Sequence, residues 1–179
     1  MNATRRAVFL DRDGVIVRAI VREGRPYPPS GLDTLEILPG VGDALARLQR
    51  AGFVLIVVTN QPDVARGLQS REVVEAMHAF LRSLLPIDDL RVCYHDDADG
   101  CGCRKPKAGM LVDAAREAGV DLSRSFMVGD RWRDVEAGQR AGCRTVLVDG
   151  GYREHHADVP DATVGSLGAA ADYILSGAR

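Results

Sequence analysis

Four short runs of this chain are apolar almost without interruption: Ala7 to Leu10, Phe53 to Val58, Phe126 to Val128 and Thr145 to Val148. A strand with one wet face alternates apolar and polar residues, whereas a continuous run must be covered on both faces, as strands of a parallel sheet are. Helix-like stretches separate the runs: Val41 to Arg50 with Leu45 and Leu48 on one face, Arg71 to Leu85, Ala108 to Ala118, and a final helix ending at Leu175. A further strand is expected at Arg91 to Tyr94 and an edge strand at Thr163-Val164. This alternation predicts an α/β fold, a doubly wound, Rossmann-like parallel sheet flanked by helices. With 179 residues, 46% of them hydrophobic, the chain can bury one such core as a single domain over 1–179, with no room for a large cap domain. The Arg-, Pro- and Gly-rich stretch between the first strand and Leu38 reads as a loop and is the natural place for a small lid.

The ends of the apolar runs carry the chemistry. The first continues as Phe9-Leu10-Asp11-Arg12-Asp13-Gly14, which sets two carboxylates at the carboxyl end of a strand, where open α/β sheets place their ligands. One Asp can attack phosphorus and form an aspartyl-phosphate while the second donates and recovers a proton. Two anions facing a phosphate require positive charge between them, most simply Mg²⁺ on oxygen ligands. The second run ends in Thr59-Asn60-Gln61 before Pro62, where a hydroxyl and backbone N–H can hold phosphate oxygens without adding charge. Arg104-Lys105-Pro106-Lys107 precedes a helix; Pro106 is expected to start that helix, with Lys105 reaching an anion near its N-terminus. The run at Phe126 leads into Gly129-Asp130-Arg131-Trp132-Arg133-Asp134. There Asp130 is placed as a metal ligand, and Asp134, one turn on, to orient neighbours. Taken singly, each segment has an ordinary explanation: an acidic turn, a strand end, a solvated basic run, a pair of unremarkable acids. Their order along the chain is what makes them a set.

Cys93, His95, Cys101 and Cys103 form a C-x-H-x5-C-x-C cluster, four ligands of the number and type that a closed tetrahedral Zn²⁺ site uses. No signal peptide is read at the N-terminus, so a cytoplasmic, reducing location is expected, and metal ligation is favoured over disulfides. Asp96, Asp97, Asp99, Gly100 and Gly102 would supply a flexible polar loop. Cys143 reads as a small buried residue.

The four segments, DRDG, TNQ, CRKP and VGDRWRD, together resemble the motifs of the haloacid dehalogenase superfamily of phosphohydrolases, over about Ala7 to Val148. The resemblance implies that Asp11 is the nucleophile and a Mg²⁺ ligand. It makes Asp13 the acid/base, with its backbone carbonyl on the metal. Thr59 and Lys105 would bind the transferring phosphoryl group, and Asp130 would complete the metal's protein ligands. A zinc loop running into CRKP is similar to the subgroup of heptose bisphosphate and histidinol-phosphate phosphatases, in which the zinc would be structural. Relative to the heptose enzymes, Pro62-Asp63-Val64 replaces Ser-Gly-Ile, Ala108 replaces a Pro and Arg131 replaces a common Lys. The segment Arg22 to Pro29 also differs. The expected activity is Mg²⁺-dependent removal of the 7-phosphate from a manno-heptose 1,7-bisphosphate, with histidinol phosphate as the alternative. Asn60, Gln61, Arg104 and Arg131 are further substrate-contact candidates, with Arg25 and Tyr27 in the lid.

A formal net charge of −2 argues against nucleic acid as a partner, and no apolar run approaches membrane-spanning length. The expected partner is a small sugar phosphate, and the expected state a monomer. A non-catalytic zinc-binding interaction module would carry at least one broken catalytic position, and none is broken. His155-His156 beside Asp158 read as part of an exposed loop from Gly150 to Pro160, His78 as a packing or surface residue, and Trp132 as a wall of the site or a packing residue.

Overall fold

The computed structural model describes residues 5–154 and 159–177, so His155 and His156 lie outside the described residues. Six parallel strands form one sheet: β1 (Arg6–Leu10), β4 (Phe53–Asn60), β5 (Asp89–Cys93), β6 (Phe126–Gly129), β7 (Arg144–Val148) and β8 (Ala162–Val164). Their order across the sheet is β5-β4-β1-β6-β7-β8. The first strand lies at the centre and the chain winds outward from it in both directions, as the continuous apolar runs require.

Alternate residues of each central strand feed two separate cores. Val8 and Leu10 of β1 join Leu55 and Val57 of β4 in one cluster with Leu45 and Leu48 of α1 (Val41–Arg50) and Ile174 of α5 (Leu167–Ser176). Ala7 and Phe9 join Val54, Ile56 and Val58 in the other, against Leu111 and Ala114 of α3 (Gly109–Ala118) and Ala137 of α4 (Trp132–Ala141). All these side chains are buried, so helices on both faces follow from strand sequences that have no polar side to expose. Cys143 is buried in the second cluster, as expected.

The structure adds a helix that periodicity did not single out, α4, runs β5 over Asp89–Cys93 where Arg91 to Tyr94 was expected, and corrects the expected elements in two further places. The stretch before Leu38 contains a hairpin, β2 (Ile20–Arg22) with β3 (Arg25–Tyr27), antiparallel with Arg22 opposite Arg25. Its two-residue turn sets Glu23 at φ 52 and Gly24 at φ 78, the left-handed pair that matches strand twist in a tight hairpin. Helix α3 begins at Gly109 rather than at Pro106; the Arg104 carbonyl closes a turn by accepting from the Lys107 amide at 2.9 Å. Helix α2 (Arg71–Leu84) starts as read, its Ser70 hydroxyl accepting from Val73 N–H.

Candidate active site

Register brings the strand ends level. Leu10 of β1 pairs with Val57 of β4 and Val128 of β6, so the residues just beyond them, Asp11, Thr59 and Asp130, meet at one edge of the sheet. The chain can turn after Asp13 because Gly14 sits at φ 83, and any Cβ there would lie 1.9 Å from Asp130 Oδ2. Only glycine meets both demands.

Lys105 is the centre of this floor. Its Nζ donates to Asp11 Oδ1 at 2.8 Å, Asp134 Oδ1 at 2.6 Å and the Val58 carbonyl at 2.8 Å, with a side chain only 2% exposed. Burial alone would lower its pKa, but the charges of Asp11 and Asp134 outweigh it and hold the ammonium above its usual value. Asn60 fixes the lysine's backbone from both sides, donating from Nδ2 to the Lys105 carbonyl at 3.0 Å and accepting its N–H at 3.1 Å. Asp134 does what its spacing suggested: burial pushes it up to about 6 against the pull of Lys105, and its second oxygen accepts from the Arg131 N–H at 3.1 Å, anchoring the first turn of α4.

Asp11, Asp130 and Asp134 offer carboxylate oxygens within 4.8 Å of one another. Both oxygens of Asp130 are buried without a well-formed hydrogen bond, the Tyr152 hydroxyl beside them easing but not cancelling the cost. Burial, then the Asp11 and Asp134 charges, raise its pKa well above the usual range. A buried, poorly bonded carboxylate beside two others is costly unless a cation takes up the charge; oxygen donors alone suit a hard ion such as Mg²⁺.

Asp13 sits beside this group, its side chain 17% exposed, its pKa raised by burial against the lowering effect of Arg12. Gln61 Nε2 donates to Asp13 Oδ2 at 2.8 Å and to Thr59 Oγ1 at 2.9 Å. Thr59 and Gln61 are buried beneath the cleft and are not among its lining residues. Of the expected substrate contacts, Asn60 lines the cleft with its amide bonded to the Lys105 backbone, and Gln61 spends its Nε2 on Asp13 and Thr59 while its Oε1 is buried without a partner.

The cleft above the floor has a volume of about 310 Å³, at the small end of the range for ligand pockets. Arg25 and Tyr27 of the hairpin line it, as lid residues should, together with Arg66, Arg104, Arg131 and Arg133. These rim arginines are tied to acids. Arg104 Nε donates to Asp97 Oδ1 at 2.8 Å, Arg133 Nη1 donates to the same oxygen at 3.0 Å, and Arg66 Nη2 donates to Asp96 at 2.7 Å. The acids expected to form a flexible loop are thus counter-ions; the Arg104 bond leads the effects that hold Asp97 down at about 2. Arg131 pairs with Glu154, and Tyr152 stands beside Asp130 and Gly14. That corrects the reading of Gly150 onward as an exposed loop: Tyr152 and Glu154 are half-buried, and Arg153 N–H donates to the Gly24 carbonyl at 3.0 Å, joining this segment to the hairpin. Trp132 is half-buried at the start of α4 and is not among the cleft-lining residues.

Cys93, at the end of β5, pairs in register with Asn60. Its Sγ lies 3.2 Å from Cys103 Sγ, 3.7 Å from Cys101 Sγ and 3.7 Å from His95 Nδ1, and Cys103 Sγ lies 3.5 Å from Cys101 Sγ. A tetrahedron with Zn–S bonds of about 2.3 Å has edges of about 3.8 Å, so the four groups could hold a zinc ion with little movement. Burial holds the Cys93 and Cys103 thiols up, while donors from the Arg104 backbone and the neighbouring thiols bring Cys101 to about 7 against its own burial, so Cys101 is the thiol readiest to give the thiolate a metal needs. Lys107 Nζ donates to the Gly100 and Cys101 carbonyls at 3.1 and 2.6 Å, joining the cluster to the approach to α3.

A family model described as HAD-hydrolase-like matches residues 102–170. The D-glycero-beta-D-manno-heptose-1,7-bisphosphate 7-phosphatase of Pseudomonas aeruginosa is 39% identical over 96% of this chain and 99% of its own. The chain belongs to the heptose bisphosphate phosphatase family of HAD-like hydrolases. A second relative, from Thermosynechococcus vestitus, is 36% identical over 96% of each chain. The solved D,D-heptose 1,7-bisphosphate phosphatase of B. bronchiseptica, complexed with magnesium and phosphate, superposes with a TM-score of 0.77 at 33% identity, over 96% of this chain and 99% of that one. The doubly wound fold and the phosphomonoester hydrolase class expected from the sequence are both borne out by these relatives. No described helix is long and apolar enough to cross a membrane.

Proposed function

We propose that this enzyme removes the 7-phosphate of D-glycero-D-manno-heptose 1,7-bisphosphate. The observation that carries the reading is the buried set Asp11–Lys105–Asp134 with the poorly bonded Asp130 beside it, under a cleft rimmed by arginines. In the proposed reaction Lys105, which lines the cleft, receives oxygens of the transferring phosphoryl group, while Thr59, buried beneath, holds Gln61 against Asp13 instead of meeting the phosphate as expected. Asp11 attacks phosphorus and forms an aspartyl-phosphate, while Asp13 gives its proton to the departing sugar oxygen. Asp13 then takes a proton from water as the water attacks phosphorus, and inorganic phosphate leaves with Asp11 restored. Mg²⁺, held by Asp11, Asp130 and the Asp13 carbonyl, would neutralise phosphate charge in both steps. Arg104 and Arg131 are assigned to the part of the substrate beyond the reacting phosphate, with Arg25 and Tyr27 closing from the hairpin. Zn²⁺ on Cys93, His95, Cys101 and Cys103 is assigned a structural role. It would fix the loop that delivers Arg104 and Lys105.

The whole chain, 1–179, is read as one catalytic domain. It is assigned action as a monomer, and its free thiols suit a reducing cytoplasm. A phosphate-release panel tests the substrate: both anomers of heptose 1,7-bisphosphate, fructose 1,6-bisphosphate and histidinol phosphate, compared by kcat/KM. The heptose bisphosphate should lead, and a lead by histidinol phosphate would overturn the assignment. Five arginines against Asp63 and Asp97 on the rim favour a substrate with a second anionic group over one with a cationic end.

A further inference from the structure

Arg12 has the largest fully buried side chain among the described residues, at 0% exposure, and lies between the two carboxylates of the DRDG motif. Its Nε donates to Asp13 Oδ1 at 2.9 Å and its Nη2 to Asp13 Oδ2 at 2.9 Å. The remaining arm, Nη1, lies 2.9 Å from Nε2 of His78 on α2. A guanidinium has no lone pair to offer, so His78 Nε2 must be the acceptor and the ring neutral. The surroundings enforce this: burial and the Arg12 charge bring the His78 pKa down to about 4, against the opposing effect of Glu75.

A carboxylate has roughly four lone-pair directions. Arg12 occupies one on each oxygen of Asp13, and Gln61 a further one on Oδ2. One direction remains, on the oxygen that Gln61 does not touch. A buried ion pair is a poor way to gain stability, since desolvation cancels most of the attraction, but a planar fork is an effective way to fix the orientation of a carboxylate. We propose that Arg12, seated on His78, is a positioning residue that aims the open position on Asp13 Oδ1, the one that carries the transferable proton, at the leaving-group oxygen. The inference rests on the reading of Asp13 as the acid/base.

The test uses two phosphate esters with the Mg²⁺- and Zn²⁺-loaded full chain. An alkyl phosphate needs its leaving oxygen protonated, whereas p-nitrophenyl phosphate departs as a stable anion. In each case kcat/KM reports the steps up to the release of the leaving group. Arg12→Lys keeps the charge but loses the fork, and His78→Leu removes its seat. Both should lower kcat/KM for the alkyl ester about 10- to 100-fold, within the range of misplaced acid catalysis, and for the nitrophenyl ester less than about threefold on the same scale. His78→Gln, which can still accept through its carbonyl oxygen, should restore most of the alkyl activity. Equal losses on both esters, or no loss on the alkyl ester, would overturn the proposal. If Arg12→Lys does not fold, the His78 pair carries the test alone. Asp13→Asn is the reference: it should show the same split more strongly. If it shows none, the acid/base reading itself fails; if it shows the split and the Arg12 and His78 variants do not, only the positioning role fails.

Discussion

The floor of the cleft and its rim are built from the same residue types in opposite ways. On the floor, charges are withdrawn from water: the side chains of Lys105 and Asp134 are 2% and 3% exposed, and each group's protonation depends on its neighbours. On the rim, Arg104 and Arg133 share Asp97, whose side chain is 58% exposed although that of Arg104 is only 10% exposed, and solvent screens the pairs from the carboxylate side. Floor geometry is imposed by strand register and by Gly14, so a substitution there changes both chemistry and folding energy. Rim geometry depends on exchangeable ion pairs, so a substitution there should change substrate preference with little effect on stability.

The largest effect should come from Asp11→Asn, which removes the proposed nucleophile without opening a cavity. Steady-state phosphate release should fall on the order of 10⁴-fold or more, the scale of losing a covalent nucleophile, with the thermal transition retained. A floor variant that kept substantial turnover would erase the distinction between floor and rim.

Lys105→Met should fail in both activity and stability. It leaves Asp11 and Asp134 buried together without their cation, a loss of about 3–5 kcal/mol by the behaviour of broken buried pairs. The pH dependence has a definite sign. Asp134 is raised from an ordinary 3.8 to about 6 in the native protein, so the folded state binds its proton more tightly than the unfolded state, and this group's contribution to stability falls as pH rises through that window. Removing Lys105 raises Asp134 further. The variant's deficit in chemical denaturation should therefore be larger at pH 8 than at pH 5, and a deficit independent of pH would contradict the charge account.

Cys103→Ser tests the connection between the two regions, because Cys103 adjoins Arg104 and Lys105. The protein as purified should contain about one zinc per chain if the site is closed, and the variant should lose it. Thermal stability should drop. Misplacing Lys105 by about 1 Å would lower kcat about a hundredfold. Unchanged activity in a zinc-free variant would mean that the cluster does not position the lysine.

The smallest effect should come from Asp97→Asn, which loosens Arg104 and Arg133 together. Stability should change by less than about 1 kcal/mol, as for exposed pairs, and kcat should hold while KM for the bisphosphate shifts a few-fold. A loss of kcat comparable to that of a floor variant would place Asp97 within the reacting machinery.

The sheet was legible in the sequence because it follows from periodicity, as was the placing of Asp11 and Asp130 at strand ends; that Lys105 belongs with them was implied by the resemblance to the haloacid dehalogenase superfamily. The continuous apolar runs require strands covered on both faces, and the acids directly after them must lie at the strand ends. Residues whose roles depend on distant partners were not legible. Asn60 and Gln61 look like substrate contacts because they follow Thr59, but the paths of Lys105 and Asp13 turn their amides inward. Asp96 and Asp97 look like loop solvation until the fold brings Arg66, Arg104 and Arg133 beside them. Tyr152 and Glu154 lie far from the motifs in sequence and reach the cleft only because the segment after β7 packs on the hairpin. Arg12 did leave a signal: a large cation between two acids at the end of a buried strand has nowhere to go but inward.

The central claim, covalent catalysis by Asp11 with Asp13 as proton carrier, is tested most directly by trapping the intermediate. Asp13→Asn lacks the base for the second step, while p-nitrophenyl phosphate needs no acid for the first. Mixed in the presence of Mg²⁺ and quenched in acid, the variant should carry one phosphoryl group per chain by intact-mass spectrometry, and borohydride reduction followed by peptide mapping should place it on Asp11. A phosphoryl group mapped to any other residue, or nitrophenol release with no phosphorylated protein at any quench time, would contradict the account.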